Sequence, residues 1–141
     1  MPKPGELWLI APTDGTGPNA LVCVLSTEAG WHDRLLVAFA HTEPEVATER
    51  HLRYTRGEAA PWPIVVATDW TTAICGRRFL EQVGALPDGD LAPVLLASRS
   101  GRFTAALEHR RGMPLHGPRD TRLAVLDDLV DCLWRYWYEA D

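Results

Sequence analysis

Ile64-Val65-Val66-Ala67-Thr68-Asp69-Trp70-Thr71-Thr72-Ala73-Ile74-Cys75-Gly76-Arg77-Arg78-Phe79-Leu80-Glu81-Gln82-Val83-Gly84-Ala85-Leu86 is the stretch on which the reading of this chain turns. Its β-branched opening, set off by Pro63, suits a strand covered on both faces over residues 64–67 and is too short for a helix. A polar corner is expected over residues 68–72, then a basic turn at Arg77 and Arg78, then an apolar segment closing at Leu86. Any chemistry should gather at the polar end, where Asp69, Trp70, Thr71 and Thr72 stand together.

Upstream, apolar runs over residues 5–10, 20–26 and 35–40 read as three strands, and residues 51–54 as a short one with Leu52 and Tyr54 inward. Pro12, Gly15, Gly17 and Pro18 make residues 11–18 a loop, and Gly30 and Asp33 mark the next turn. Strands so closely spaced, with no long helix between them, predict a small antiparallel barrel or sandwich, not alternating βαβ units. Downstream the pattern turns helical. Asp90 is placed to cap a helix over residues 91–98, and a second is expected over 102–111, stopped by Gly112 and Pro114.

The strongest helical signal runs over residues 121–139 behind Asp120. Leu123, Leu126, Val130, Leu133 and Trp137 recur at spacings of three and four, opposite Asp127, Asp128, Asp131 and Arg135. Trp134, Tyr136, Trp137 and Tyr138 cannot share one stripe, because successive helical residues point about 100° apart, so part of this aromatic end should meet another element or another chain.

A length of 141 residues, with 46% hydrophobic and 23% charged residues, fits one globular unit with a substantial core. The formal charge of −5 excludes a broad phosphate-binding surface, though arginines cluster at 50, 53 and 56, at 77 and 78, and at 102, 110 and 111. Thirteen arginines against the single Lys3 suggest a GC-rich bacterial origin. Cys23, Cys75 and Cys132 lie far apart among apolar neighbours and read as reduced thiols of a cytoplasmic protein. No apolar run reaches the roughly 20 residues of a membrane span. The five histidines and three cysteines lack metal-ligand spacing, and neither a phosphate-binding glycine loop nor a Gly-x-Ser-x-Gly elbow occurs, so no metal or cofactor is expected.

Lys3-Pro4-Gly5-Glu6-Leu7-Trp8-Leu9, a Gly-rich loop, then Ala20-Leu21-Val22-Cys23-Val24-Leu25-Ser26 resembles the opening of MazF/PemK-type toxins. Residues 35–40 are similar to that family's third strand. Residues 64–86, with their arginine turn and Gly84-Ala85-Leu86, are similar to its later segment and to the related gyrase-poisoning CcdB family. The resemblance covers residues 3–98. It implies a β-rich α+β fold: a small antiparallel SH3-like barrel (residues 1–98) that forms a homodimer, followed by a C-terminal helical extension (99–141) packed on the same domain.

For function the resemblance implies a metal-independent endoribonuclease that promotes attack of an RNA 2′-hydroxyl on its own phosphate, a step needing a proton acceptor and a cation or donor. The family's first arginine falls where this chain has Gly17-Pro18-Asn19, its Thr or Ser after the third strand falls at His41-Thr42, and its Gln-x-Arg-Thr falls at Asp69-Trp70-Thr71-Thr72. The candidate catalytic residues are therefore His41, Thr42 and Thr72. The candidate substrate-binding residues are Asn19, Asp69, Trp70, Thr71, Arg77 and Arg78, and the expected partners are single-stranded RNA and an antitoxin or other protein. The two absent arginines keep a second reading open, a non-catalytic toxin-like module that binds a gyrase-type target or an antitoxin through its surface and aromatic C-terminal helix.

Overall fold

The computed structural model describes residues 1–12, 18–27 and 33–138, and only the backbone of Arg135, Trp137 and Tyr138. Gly17, Gly30 and most of the loop expected over residues 11–18 lie outside the described residues, as do the side chains of Trp137 and Tyr138. Six strands, β1 (Glu6–Ile10), β2 (Ala20–Ser26), β3 (Arg34–His41), β4 (His51–Tyr54), β5 (Ile64–Cys75) and β6 (Phe79–Ala85), form one antiparallel sheet in the order β4-β5-β3-β2-β1-β6. Among the described residues no strand ladder closes this sheet into a complete barrel. Its ends are joined by the β4–β5 connection, where the Ala85 N–H donates to the Ala59 carbonyl at 2.9 Å. A Cβ on Gly84 would strike that carbonyl, so the join requires glycine there.

Helix α1 (Leu91–Ser100) covers one face of the sheet, where Leu7, Cys23, Leu25, Leu52, Tyr54, Ile64 and Val66 pack with its Val94. Helix α2 (Arg122–Tyr138) covers the other, setting Leu133 and Tyr136 against Ile10, Val22, Val37, Phe39 and Ile74. Two covered faces explain why β2 and β3 are apolar almost throughout and do not alternate.

Three local expectations are corrected. The polar corner over residues 68–72 is no corner, because β5 continues through it to Cys75. Its pairing slips there, however: Ala40 faces Val66 while Ala38 faces Thr71, so Thr68, Asp69 and Trp70 bulge from the ladder. Thr68 is drawn toward the β4 side, its hydroxyl donating to the Arg50 carbonyl at 2.6 Å. The helix expected over residues 102–111 is only a 3-10 turn, Ala105–Arg110. Asp90 precedes α1 but makes no side-chain cap. Its carboxylate instead accepts the Tyr54 hydroxyl at 2.8 Å and pairs with Arg110 Nε at 3.3 Å.

Arginines fasten the C-terminal third of the chain to the sheet. Arg53 Nη2 donates to the Arg111 carbonyl at 2.8 Å, and Arg111 Nε to the Glu49 carbonyl at 2.7 Å. The Arg110 guanidinium lies 4.1 Å from the centroid of the Tyr54 ring and pairs with Glu58 at 2.9 Å. Arg122 donates to the carbonyls of Ala47, Met113 and Pro114 and to Asp120, whose carboxylate also accepts the Arg122 N–H at 3.0 Å and so caps α2 as expected.

Candidate functional site

Antiparallel register brings Asn19, His41 and Thr42 together. Leu21 faces Ala40, so the residue just before β2 and the residues ending β3 meet at one corner of the sheet. Helix α2 supplies the third wall with Leu129, Cys132 and Leu133, leaving a cleft of about 300 Å³. Asn19 and Thr42 are exposed, whereas His41 is only 8% exposed. The Glu43 N–H donates to His41 Nδ1 at 3.1 Å, so the ring proton resides on Nε2, which is buried and has no hydrogen-bond partner among the described residues. Burial first, and neighbouring His51 second, hold the His41 pKa down to about 4. At neutral pH this ring is a neutral donor with no free lone pair to act as a base.

Asp69 and Trp70 line a different cleft, of about 290 Å³, together with Arg50, His51, Asp127 and Val130. Here His51, 2% exposed, takes the Thr48 N–H on Nδ1 at 3.4 Å and directs Nε2 to Asp69 at 3.0 Å. The ring centroids of His51 and Trp70 are 4.9 Å apart and those of His41 and His51 6.3 Å apart, so a continuous aromatic cluster links the two clefts. Sequence reasoning had not selected His51. Its one signal was its place at the start of a strand that could pair beside the polar segment containing Asp69, a pairing realised as His51 opposite Ala67.

The remaining candidates are not brought to Asn19, His41 and Thr42. Thr71 and Thr72 pair with Ala38 and Val37. Val37 lies four residues before His41 on β3, about 13 Å along the strand. Arg77 is exposed at the opposite end of β5, near Asp33. Arg78 is buried, donates from Nε to the Ala11 carbonyl at 2.9 Å and lies 5.4 Å from the Tyr136 ring centroid. The expected Arg77–Arg78 clamp is therefore split between solvent and core. Among the described residues, no group of three His, Cys, Asp or Glu side chains is placed to hold a metal ion, and no helix is long and apolar enough to cross a membrane.

Over 68% of the chain the fold is MazF-like. A MazE–MazF structure from Deinococcus radiodurans aligns with 68% of this chain and 89% of its own at 18% identity and a TM-score of 0.53. The Mycobacterium tuberculosis toxin MazF-mt6 aligns over 66% and 90% of the two chains at 21% identity, TM-score 0.49. A structure described as an Mtb toxin aligns over 67% and 99% at 20% identity, TM-score 0.49. No family model matches the sequence, and no curated protein matches it.

Proposed function

We propose that this chain is a MazF-like protein of the toxin–antitoxin type that engages single-stranded RNA at the cleft of Asn19, His41 and Thr42, working as a homodimer in the bacterial cytoplasm with an antitoxin as its protein partner. The observation that carries this reading is the convergence of those three side chains on one cleft of a MazF-like fold. That the Deinococcus structure pairs the same fold with MazE supports a protein partner of this kind.

The chemistry available favours recognition over proton transfer at His41. Its Nδ1 is occupied, its burial opposes the charged form, and no cation lines the cleft among the described residues. A cut at the 2′-hydroxyl would need Thr42 together with a cation reaching in from outside, of which Arg50 in the adjacent cleft is one source.

The direct test incubates the purified protein with long, unstructured RNA at low salt, reading binding by gel shift and cleavage on a sequencing gel. Binding that weakens in Asn19→Ala and Thr42→Ala but persists in Thr72→Ala is the expected outcome. Absence of binding by folded wild type rejects the proposal. It would move the assignment to the non-catalytic protein-binding module, which has its own support in Trp134, 53% exposed on α2, and in the use of Arg53, Arg110, Arg111 and Arg122 as internal fasteners.

A further inference from the structure

The cleft between the β5 bulge and α2, about 290 Å³ in volume, has no ligand in the reading above. It is large enough for a small molecule or one long side chain and too small for a folded element. Part of its lining is apolar, from Leu115, Leu123, Leu126 and Val130. Trp70 adds an aromatic ring, half-buried and steadied by a near-perpendicular contact with the His51 ring, 4.9 Å away between centroids.

The charged part of the lining is unbalanced. Among the described residues, Glu49, Asp69 and Asp127 set three carboxylates against the single guanidinium of Arg50. Arg50 is also engaged beyond the cleft. Its Nη2 lies 3.5 Å from where a Cβ on Gly101 would stand, at the C-terminal end of α1, which favours a cation. Glu49 has Arg122 as an electrostatic neighbour. Asp69 and Asp127 are not answered in this way. The Asp69 side chain is 30% exposed, with Oδ1 fixed by His51 Nε2 at 3.0 Å and Oδ2 without a hydrogen-bond partner among the described residues. Asp127 is exposed on α2 and has no ion-pair partner among them.

Carboxylates beside apolar walls attract a cation more strongly than they would in open water, and an indole ring attracts the same charge. The apolar residues suit a hydrocarbon attached to it. We propose that this cleft binds a small organic cation, an ammonium or guanidinium on an apolar stem, with the charge between Asp69, Asp127 and Trp70 and the stem along the leucines and Val130. This site is separate from the proposed RNA cleft and stands or falls without it.

The experiment titrates the intact, isotope-labelled protein with n-butylguanidinium and with n-butylurea, which has the same shape and no charge. Binding is read from the indole N–H resonance of Trp70, identified by its loss in Trp70→Phe. Butylguanidinium is expected to shift that resonance and to bind about tenfold more tightly than butylurea. Asp69→Asn keeps an acceptor for His51 and should remove most of that preference. Asp127→Asn, at an exposed position that tolerates the change, should weaken binding several-fold. Asp131→Asn, on α2 but outside the cleft lining, should leave it unchanged. Equal affinity for the two probes, no binding of either, an unmoved Trp70 resonance, or full affinity in both cleft variants overturns the proposal. N-acetylarginine methylamide separates the two sources of such a cation. Binding much weaker than that of butylguanidinium assigns the site to a free small molecule, and equal or tighter binding assigns it to an arginine side chain of a partner; either result upholds a cation site.

Discussion

His41 and His51 are buried to similar depth, with ring centroids 6.3 Å apart, yet they stand in opposite chemical states. His51 is answered on both nitrogens, by the Thr48 N–H and by Asp69. His41 is answered on one, by the Glu43 N–H, and its other nitrogen is enclosed with no partner among the described residues. A buried polar group that is fully paired helps to specify the fold, whereas one left half-paired is held at a cost in stability. On this view β4 and the β5 bulge use a histidine as structure, and the end of β3 keeps one at a cost.

The largest effect should come from breaking the satisfied member. His51→Ala leaves a cavity and strands the Thr48 N–H, and should lower unfolding free energy by about 3 kcal/mol in a urea titration, with the binding face otherwise retained. A loss below about 1 kcal/mol would show that the pair contributes little and would blur the contrast between the two rings.

Acid should act next, and through the other histidine. A folded-state pKa of about 4 against an ordinary 6.5 means that the unfolded chain binds the proton better. Stability from this source is complete above pH 6.5 and falls as pH drops from 6.5 through 4, by up to about 3 kcal/mol. Denaturant midpoints measured across that window should fall in the wild type and fall less in His41→Phe. Parallel profiles would assign the acid sensitivity elsewhere.

Smaller again is the effect of His41→Phe itself at neutral pH. It removes a buried donor that has no partner among the described residues but also strands the Glu43 N–H, so the two changes nearly offset and stability should shift by less than about 1 kcal/mol. A thermal melt checks it, and a clear loss of stability would mean that His41 is a structural residue like its neighbour. The smallest change is expected of Arg77→Ala. Its exposed guanidinium lies at the far end of β5, so its removal should shift RNA affinity less than twofold, whereas Arg50→Ala, beside the His51 cleft, should weaken it several-fold in a salt-dependent way.

Much of the fold was readable because its signals are local. The apolar runs at residues 20–26 and 35–40, the β-branched start of β5 and the three-four spacing along α2 each announce an element without reference to the rest of the chain. Where longer-range partners competed, the local reading failed. Asp90 was the natural cap for α1, but Tyr54 and Arg110 hold its carboxylate. Residues 102–111 suited a helix, but Arg110 and Arg111 anchor that segment to Tyr54 and Glu49 in a geometry that leaves only a 3-10 turn. Of the candidate site, Asn19, His41 and Thr42 were legible together through the resemblance, and β2–β3 register then joined them. Thr72, Arg77 and Arg78 were legible only as residue types.

The sequence by itself determined the order of strands and helices, the two-sided burial of the sheet and the residue types available for chemistry, because hydrophobic period and turn residues act over a few neighbouring positions. Tertiary structure alone decided that α2 would wall the cleft, that His51 would find Asp69 eighteen residues away, that five of the arginines would be fasteners and not phosphate ligands, and that one nitrogen of His41 would have no partner among the described residues. Those outcomes depend on register and on which distant groups arrive first at a buried donor or acceptor, and a one-residue change in either would rearrange them without altering any local signal.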